Sequence, residues 1–205
     1  MVNNKQEEFW ANRYEKEYQR KNSSFNLDLG IEGWNQMLDK AEGISSFLEC
    51  GCNIGRNLKF LDIIMPDASK SIIEISNSAF EYVSKNYEIS QSFNGPILDS
   101  NFSDNTFDLV FSAMVLIHID PENLLENMKK MYSYSKKYIL ICEYFNRTQT
   151  SIEYQGEMNM LFKCDFGKLF MENFQVELID YGFHWGQIYD EAGFGDTTWW
   201  LFKKS

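Results

Sequence analysis

The spacing of apolar and polar positions changes several times along the 205 residues. Residues 6–21 are mostly polar but carry Phe9, Trp10, Tyr14 and Tyr18 at helical spacing, which predicts an amphipathic helix with an aromatic stripe. Trp34, Met37 and Leu38 predict a second helix over residues 33–41. At residues 44–50 the pattern becomes that of a short buried strand, followed by a glycine turn at 51–55. A helix over 56–64 ends at Pro66-Asp67, and residues 70–75 and 77–86 read as the next strand and helix. A short third strand is expected near Pro96-Ile97-Leu98. Residues 106–112 form the plainest strand, preceded by the turn residues Ser103-Asp104-Asn105. Pro121 opens a helix reaching residue 134, with Asp120 as N-cap. Residues 138–143 read as a fifth strand, 144–164 as irregular and 165–173 as helix. Two final strands are expected at 176–183 and 197–203, joined by a loop.

Strands alternating with helices predict an α/β fold: a Rossmann-like, seven-stranded, mostly parallel sheet with helices on both faces. The last two strands have no helix between them and are expected to close the sheet as an antiparallel hairpin. No linker or repeat divides the chain, so one domain over 1–205 is expected, with residues 1–41 as a helical cap. Ligands of such sheets bind beyond the carboxyl ends of the strands, at the switch point beside the first strand.

Charge narrows the partners. Thirty acidic against 19 basic residues give a formal charge of −11, which works against binding phosphate backbones. No nucleic acid is expected, and a small-molecule substrate is. No apolar run approaches the ~20 residues that span a bilayer, and Met1–Glu8 lack the apolar stretch of a secretory signal. No membrane association and a cytoplasmic location are therefore expected, with oligomeric state left open. The aromatic excess, 17 Phe and 11 Tyr, suits a cavity lining or a Phe-rich core. Cys50 and Cys52 stand too close for a zinc knuckle, and His118 and His184 have no neighbour at ligand spacing. No metal is expected, and the thiols are read as reduced.

The strand ends hold the candidate chemistry. Glu49-Cys50-Gly51-Cys52-Asn53-Ile54-Gly55 ends the first strand in a tight turn that lets a ligand approach backbone. Its spacing differs from the nicotinamide-binding glycine turn, and the extra acid suits a cationic or zwitterionic ligand better than a pyrophosphate. Glu74, ending the second strand, is placed to accept hydrogen bonds from ribose hydroxyls. Together with Phe107-Asp108-Leu109-Val110, these features resemble class I S-adenosylmethionine-dependent methyltransferases over about residues 9–203. The resemblance implies S-adenosyl-L-methionine as cofactor and S-adenosyl-L-homocysteine as product. It places Glu49, Gly51, Asn53 and Gly55 around the methionine end, Glu74 and Ile75 at the ribose and adenine, and Ser112 at the end of the fourth strand beside the cofactor. Where many members carry an acid on the third strand this chain has Pro96, which leaves the adenine amino group to Asp99 or to the backbone of Ile97 and Leu98. An N-terminal helix closing over the cofactor would bring Trp10, Tyr14 and Tyr18 to it as a lid, or the same stripe packs on the core.

Residues 115–119, 138–146 and 161–166 further resemble methylases associated with pseudaminic acid biosynthesis, which implies a nonulosonic-acid-type sugar or its precursor as acceptor. The Asn/Asp-Pro-Pro-aromatic motif of enzymes acting on DNA amino groups is absent at Ser112-Ala113-Met114. His118 is read either as a catalytic base for a hydroxyl or amine or as a packed histidine. Glu143 is read as orienting the acceptor or as pairing with Arg147 or Arg56. Tyr144, Asn146, Tyr154 and Lys163, with Asp165, form a candidate acceptor set, in which Lys163 or Arg147 would meet a carboxylate. His184 and Trp185 are left undecided. The expected activity is O- or N-methylation of a small polar acceptor. Methylation of a protein or a non-sugar metabolite, and a non-catalytic cofactor-binding module, are the alternatives.

Overall fold

The computed structural model describes residues 5–13, 25–154 and 156–205. Its strands are β1 (Ser46–Cys50), β2 (Ser69–Glu74), β3 (Gln91–Asn94), β4 (Phe107–Ala113), β5 (Ser135–Glu143), β6 (Thr150–Tyr154), β7 (Glu157–Lys163), β8 (Val176–His184) and β9 (Thr197–Lys204). Its helices are α1 (Lys5–Glu8), α2 (Leu27–Leu38), α3 (Arg56–Ile64), α4 (Asn77–Asn86), α5 (Pro121–Tyr134), α6 (Phe166–Asn173) and α7 (Gly186–Tyr189). Seven strands form one sheet in the order β3-β2-β1-β4-β5-β9-β8. The first five are parallel, and β9 inserts antiparallel between β5 and β8. The expected α/β sheet with its terminal antiparallel hairpin is the one observed.

Alternation along the strands divides two cores. Phe47, Leu109, Phe111 and Leu140 face α2 and α3, where Trp34, Met37, Leu58 and Phe60 are buried. Leu48, Val110, Ile139 and Phe202 face α5 and α6, against Met128, Met131 and Phe170. Strands buried on both faces explain why β1, β4 and β5 read as near-continuous apolar runs. Asp108, the acid of the Phe107–Val110 motif, lies at the amino end of β4. Its carboxylate accepts from Ser45 N–H at 2.9 Å and from Ser45 Oγ at 2.6 Å, tying the start of β1 to β4.

Four expectations need correction. The third strand is at Gln91–Asn94, while Ile97–Asp99 form a 3-10 turn. Pro96 has no N–H to give a ladder, and the true strand is a polar edge strand with no apolar pattern to betray it. Residues 144–164 are not irregular, because β6 and β7 pair as a separate antiparallel hairpin. The helix expected at 33–41 begins six residues earlier, where Asn26 Oδ1 caps Leu29 N–H at 3.1 Å. It packs in the core rather than capping the site, with Trp34 and Met37 fully buried. At the N-terminus, α1 passes into a π-helical turn over Phe9–Arg13; Tyr14 and Tyr18 lie outside the described residues. Among those residues no helix is long and apolar enough to cross a membrane.

Gly30 and Gly33 sit inside α2 for a packing reason. A Cβ on Gly30 would stand 2.1 Å from Phe60 Cε1, inside the closed core. Gly30→Ala should therefore destabilise the protein by about 1–3 kcal/mol through overpacking, despite the ~1 kcal/mol gain in helix propensity. A chemical-denaturation midpoint at or above wild type would show that Phe60 has room to move.

Candidate active site

The turn after β1 is set by backbone conformations that side chains disfavour. Gly51 and Gly55 have φ of 81° and 78°, and Asn53 between them has φ of 46°. At Gly51 a Cβ would lie 2.5 Å from Val115 Cγ2, so the loop after β4 is pressed against the glycine. Gly55 is the N-cap of α3, and Tyr87 donates to its carbonyl at 3.1 Å. Glu74 ends β2 beside this turn. Its carboxylate accepts from Asn53 N–H at 2.6 Å and from Ser76 N–H at 2.8 Å. Burial raises its pKa, and these backbone bonds oppose that rise.

Between these strand ends lies a cavity that opens to solvent and encloses about 870 Å³ with its mouth included. Gly51, Asn53, Glu74, Ile75, Pro96 and Ile97 form one wall. Ala113, Met114, Val115, His118, Ile119 and Asp120 continue it beyond β4. Asn123 and Asn127 of α5 add a polar strip, and Gln6, Glu7 and Trp10 cover the opening. The cover is tied down from two sides. Gln6 Nε2 donates to Asn159 O at 2.9 Å and to Asp120 Oδ2 at 3.5 Å. Phe9 is buried against Met160 of β7.

His118 is the titratable ring in this wall. Trp10 and Tyr154 pack on it at centroid distances of 4.4 and 5.1 Å. Its Nδ1 lies 2.9 Å from Met160 O. A carbonyl only accepts, so Nδ1 carries the proton and Nε2 keeps its lone pair. Burial pushes the imidazole down to about 4, with the Met160 bond opposing.

Glu143 does not line the cavity, and its carboxylate is held by a hydroxyl and by backbone N–H groups. It is fully buried, with Oε1 accepting from Ser112 Oγ and from the N–H of Val115 (3.1 Å) and Leu116 (3.0 Å). Oε2 accepts from Ile117 N–H at 3.3 Å. Burial pushes this carboxyl up to about 7, and its four donors pull the other way. It is a positioning group for the loop that bears His118. Ser112, its partner, is likewise buried away from the cavity.

Glu49 also departs from expectation. It lies beneath the turn rather than in the cavity lining, accepting from Asn57 Nδ2 at 2.7 Å. Asn57 Oδ1 in turn takes Trp34 Nε1 at 3.4 Å. Glu49 Oε2 is buried with no hydrogen-bond partner, and burial pushes the carboxyl up to about 8. Gly55 and Leu98 stand outside the lining as well, so they shape the site rather than face it. Of the acceptor set, Tyr154 alone reaches the site, through its contact with His118. Lys163 Nζ sits 4.9 Å over the Tyr144 ring, and Asn146 bonds Thr150 Oγ1 at 2.8 Å. Asp165 caps α6 by accepting from Lys168 N–H at 2.9 Å. His184 is a core residue packed on Phe194 and Tyr189, while Trp185 is exposed. The lining residues missed from the sequence include Gln6, Glu7, Asp120, Asn123 and Asn127. Asp120, Asn123 and Asn127 share one face of α5 by their 3-and-4 spacing, a polar stripe that could have flagged them.

A neutral buried Glu49 has a stability consequence. Its folded pKa, about 8, lies above the unfolded value, so its contribution is complete below about pH 4.5 and is lost as pH rises through about 8. Stability should fall across that window by up to about 1.4 kcal/mol per pH unit from this group. Glu49→Gln keeps the acceptor for Asn57 and should flatten that part of the Tm-versus-pH curve. Parallel curves for variant and wild type would show Glu49 to be ionised in the fold.

Comparison with known proteins bears on this geometry. Residues 48–137 match the methyltransferase domain family. A search of curated proteins gave no match. The fold is similar to a Leishmania major S-adenosylmethionine-dependent methyltransferase, with TM-score 0.74 and 17% identity over 98% of this chain and 82% of that one. It is similar to magnesium protoporphyrin IX methyltransferase of Synechocystis, solved with its cofactor bound, at TM-score 0.69 and 10% identity over 100% of both chains. The N-methyltransferase NodS of Bradyrhizobium japonicum gives TM-score 0.63 and 16% identity over 93% of this chain and 98% of that one. The Leishmania protein is S-adenosylmethionine-dependent by description, and the Synechocystis enzyme is solved with S-adenosylmethionine bound. The chain thus has the fold of the S-adenosylmethionine-dependent methyltransferases, and its segment 48–137 matches a methyltransferase domain.

Proposed function

We propose that this protein transfers a methyl group from S-adenosylmethionine to a small polar acceptor held in the cavity beyond β1 and β4. The observation that carries this reading is the convergence on one cavity of the Gly51 turn, the Glu74 carboxylate and a histidine with a free lone pair. The residues present fit the cofactor. Gly51 lines the cavity and, at positive φ, presents the backbone of the turn to it. Glu74 offers carboxylate oxygens to ribose hydroxyls, and Ile75, Pro96 and Ile97 give apolar walls suited to a flat base. When bound, the cofactor supplies an electrophilic methyl carbon on a sulfonium.

The chain's own residues then align and enclose. Gln6 and Trp10, anchored on Asn159 and His118, exclude water. Glu143 holds Val115–Ile117, and through them His118, against the strand ends. His118 Nε2 takes the hydrogen bond of the acceptor's nucleophilic atom, and takes its proton where that atom is a hydroxyl oxygen. Rate enhancement comes chiefly from proximity and alignment. Of the acceptors implied by the resemblance of residues 115–119, 138–146 and 161–166, a precursor sugar that carries no acid remains part of this proposal. Its support is that the first of these segments supplies Val115, His118 and Ile119 to the cavity wall.

Two variants test the reading. Gly51→Ala places a Cβ against Val115 at positive φ, and should weaken S-adenosylhomocysteine binding at least about tenfold by calorimetry. Unchanged affinity would remove the cofactor from this turn. His118→Ala should keep cofactor affinity while lowering the single-turnover rate by roughly 10²-fold or more. A folded His118→Ala protein with wild-type transfer would end the histidine's role.

A further inference from the structure

The cavity's charge is one-sided. Glu7, Glu74 and Asp120 line it, and among the described residues no lysine or arginine does. Lys163, expected to meet an acceptor carboxylate, is drawn off to the Tyr144 ring, and Arg147 is exposed and does not line the cavity. Glu74 belongs to the wall assigned above to the cofactor. Glu7 and Asp120 stand instead with His118 and Trp10, where the acceptor would lie. The Asp120 carboxylate is only partly engaged. Its Oδ1 caps α5 by accepting from Glu122 N–H at 3.0 Å, and Oδ2 has the long 3.5 Å contact with Gln6.

From this arrangement we infer that the acceptor is an amine without an acidic group, methylated on nitrogen. The inference rests on the methyltransferase reading and narrows its substrate class. A carboxylate-bearing sugar would enter against the Asp120 carboxylate with no lysine or arginine among the described wall residues to meet it. An amine finds a charge-assisted partner in Asp120 and an aromatic face in Trp10. The formal charge of −11 draws cations toward the protein in the same sense.

The chemistry agrees with the histidine. In the transfer, the lone pair of the unprotonated amine forms the N–C bond to the methyl carbon while the C–S bond breaks toward sulfur. The positive charge passes from sulfur to nitrogen, leaving a thioether and a methylammonium; an acceptor that arrives as its ammonium gives up one proton to water before this step. A hydroxyl acceptor would instead demand a strong base, whereas burial holds His118 at about 4. Such an imidazole serves better as a hydrogen-bond acceptor that points the amine's lone pair at the methyl group.

The test is binding to the S-adenosylhomocysteine-saturated full chain, by calorimetry and thermal shift, with two matched sets of probes. One set is glucosamine, glucose and glucuronate; the other is phenethylamine, phenethyl alcohol and phenylacetate. At least one amine should bind about tenfold or more tighter than its neutral and acidic counterparts. Asp120→Asn keeps an N-cap of equal quality and should abolish most of that preference with Tm held; Glu7→Gln serves as a second variant should Asp120→Asn fail to fold. Carboxylates binding as well as amines, or no amine preferred, would overturn the inference. Failure of S-adenosylhomocysteine to bind at all would instead remove the methyltransferase reading on which it rests.

Discussion

The carboxylate of Glu143 is the point on which the site hangs. It sits at the carboxyl end of β5, buried, and gathers the Ser112 hydroxyl and three successive backbone N–H groups from the loop after β4. A loop at that place has no ladder to satisfy its N–H groups, and leaving several of them buried and unpaired costs about 1–3 kcal/mol each. One acid from the neighbouring strand settles them together. The consequence reaches both sides of the cavity, because Val115 on that loop packs on Gly51 and His118 ends it. A residue that looks catalytic by its position therefore acts through others.

Burial also reassigns the other carboxyls. Glu49 and Glu74 lie at adjacent strand ends with similar sequence credentials, yet they do different work. Glu74 is surrounded by backbone N–H groups and lines the cavity, while Glu49 turns under the turn toward Asn57 and holds its proton. Desolvation is common to both; the number and kind of donors separates them. Glu7 and Asp120, with no strand-end position to announce them, become the acids that face the opening.

The cover over the cavity comes from distant parts of the chain. The N-terminal segment supplies Gln6 and Trp10, and the β6–β7 hairpin supplies Tyr154, Met160 and Asn159 to meet them. His118 lies where the two touch. Its ring is dried by that contact, which lowers its basicity and fixes its tautomer in one step.

Much of this was legible in the residues. The period of apolar positions determined the alternation of strands and helices, because strands buried on both faces must be apolar throughout. The glycine turn and Glu74 announced the strand ends at which the cavity opens, and Asp120–Pro121 the start of α5, since each depends on local backbone conformation. The edge strand β3 and the hairpin were invisible because polar, half-exposed strands carry no periodic signal of their own. Side-chain direction was invisible too. Whether Glu143, Glu49 or His184 faces a cavity or a core depends on which element packs across from it, a contact between residues far apart in the chain. Only the tertiary structure decides that, and with it which acids are charged and which merely hold the site in shape.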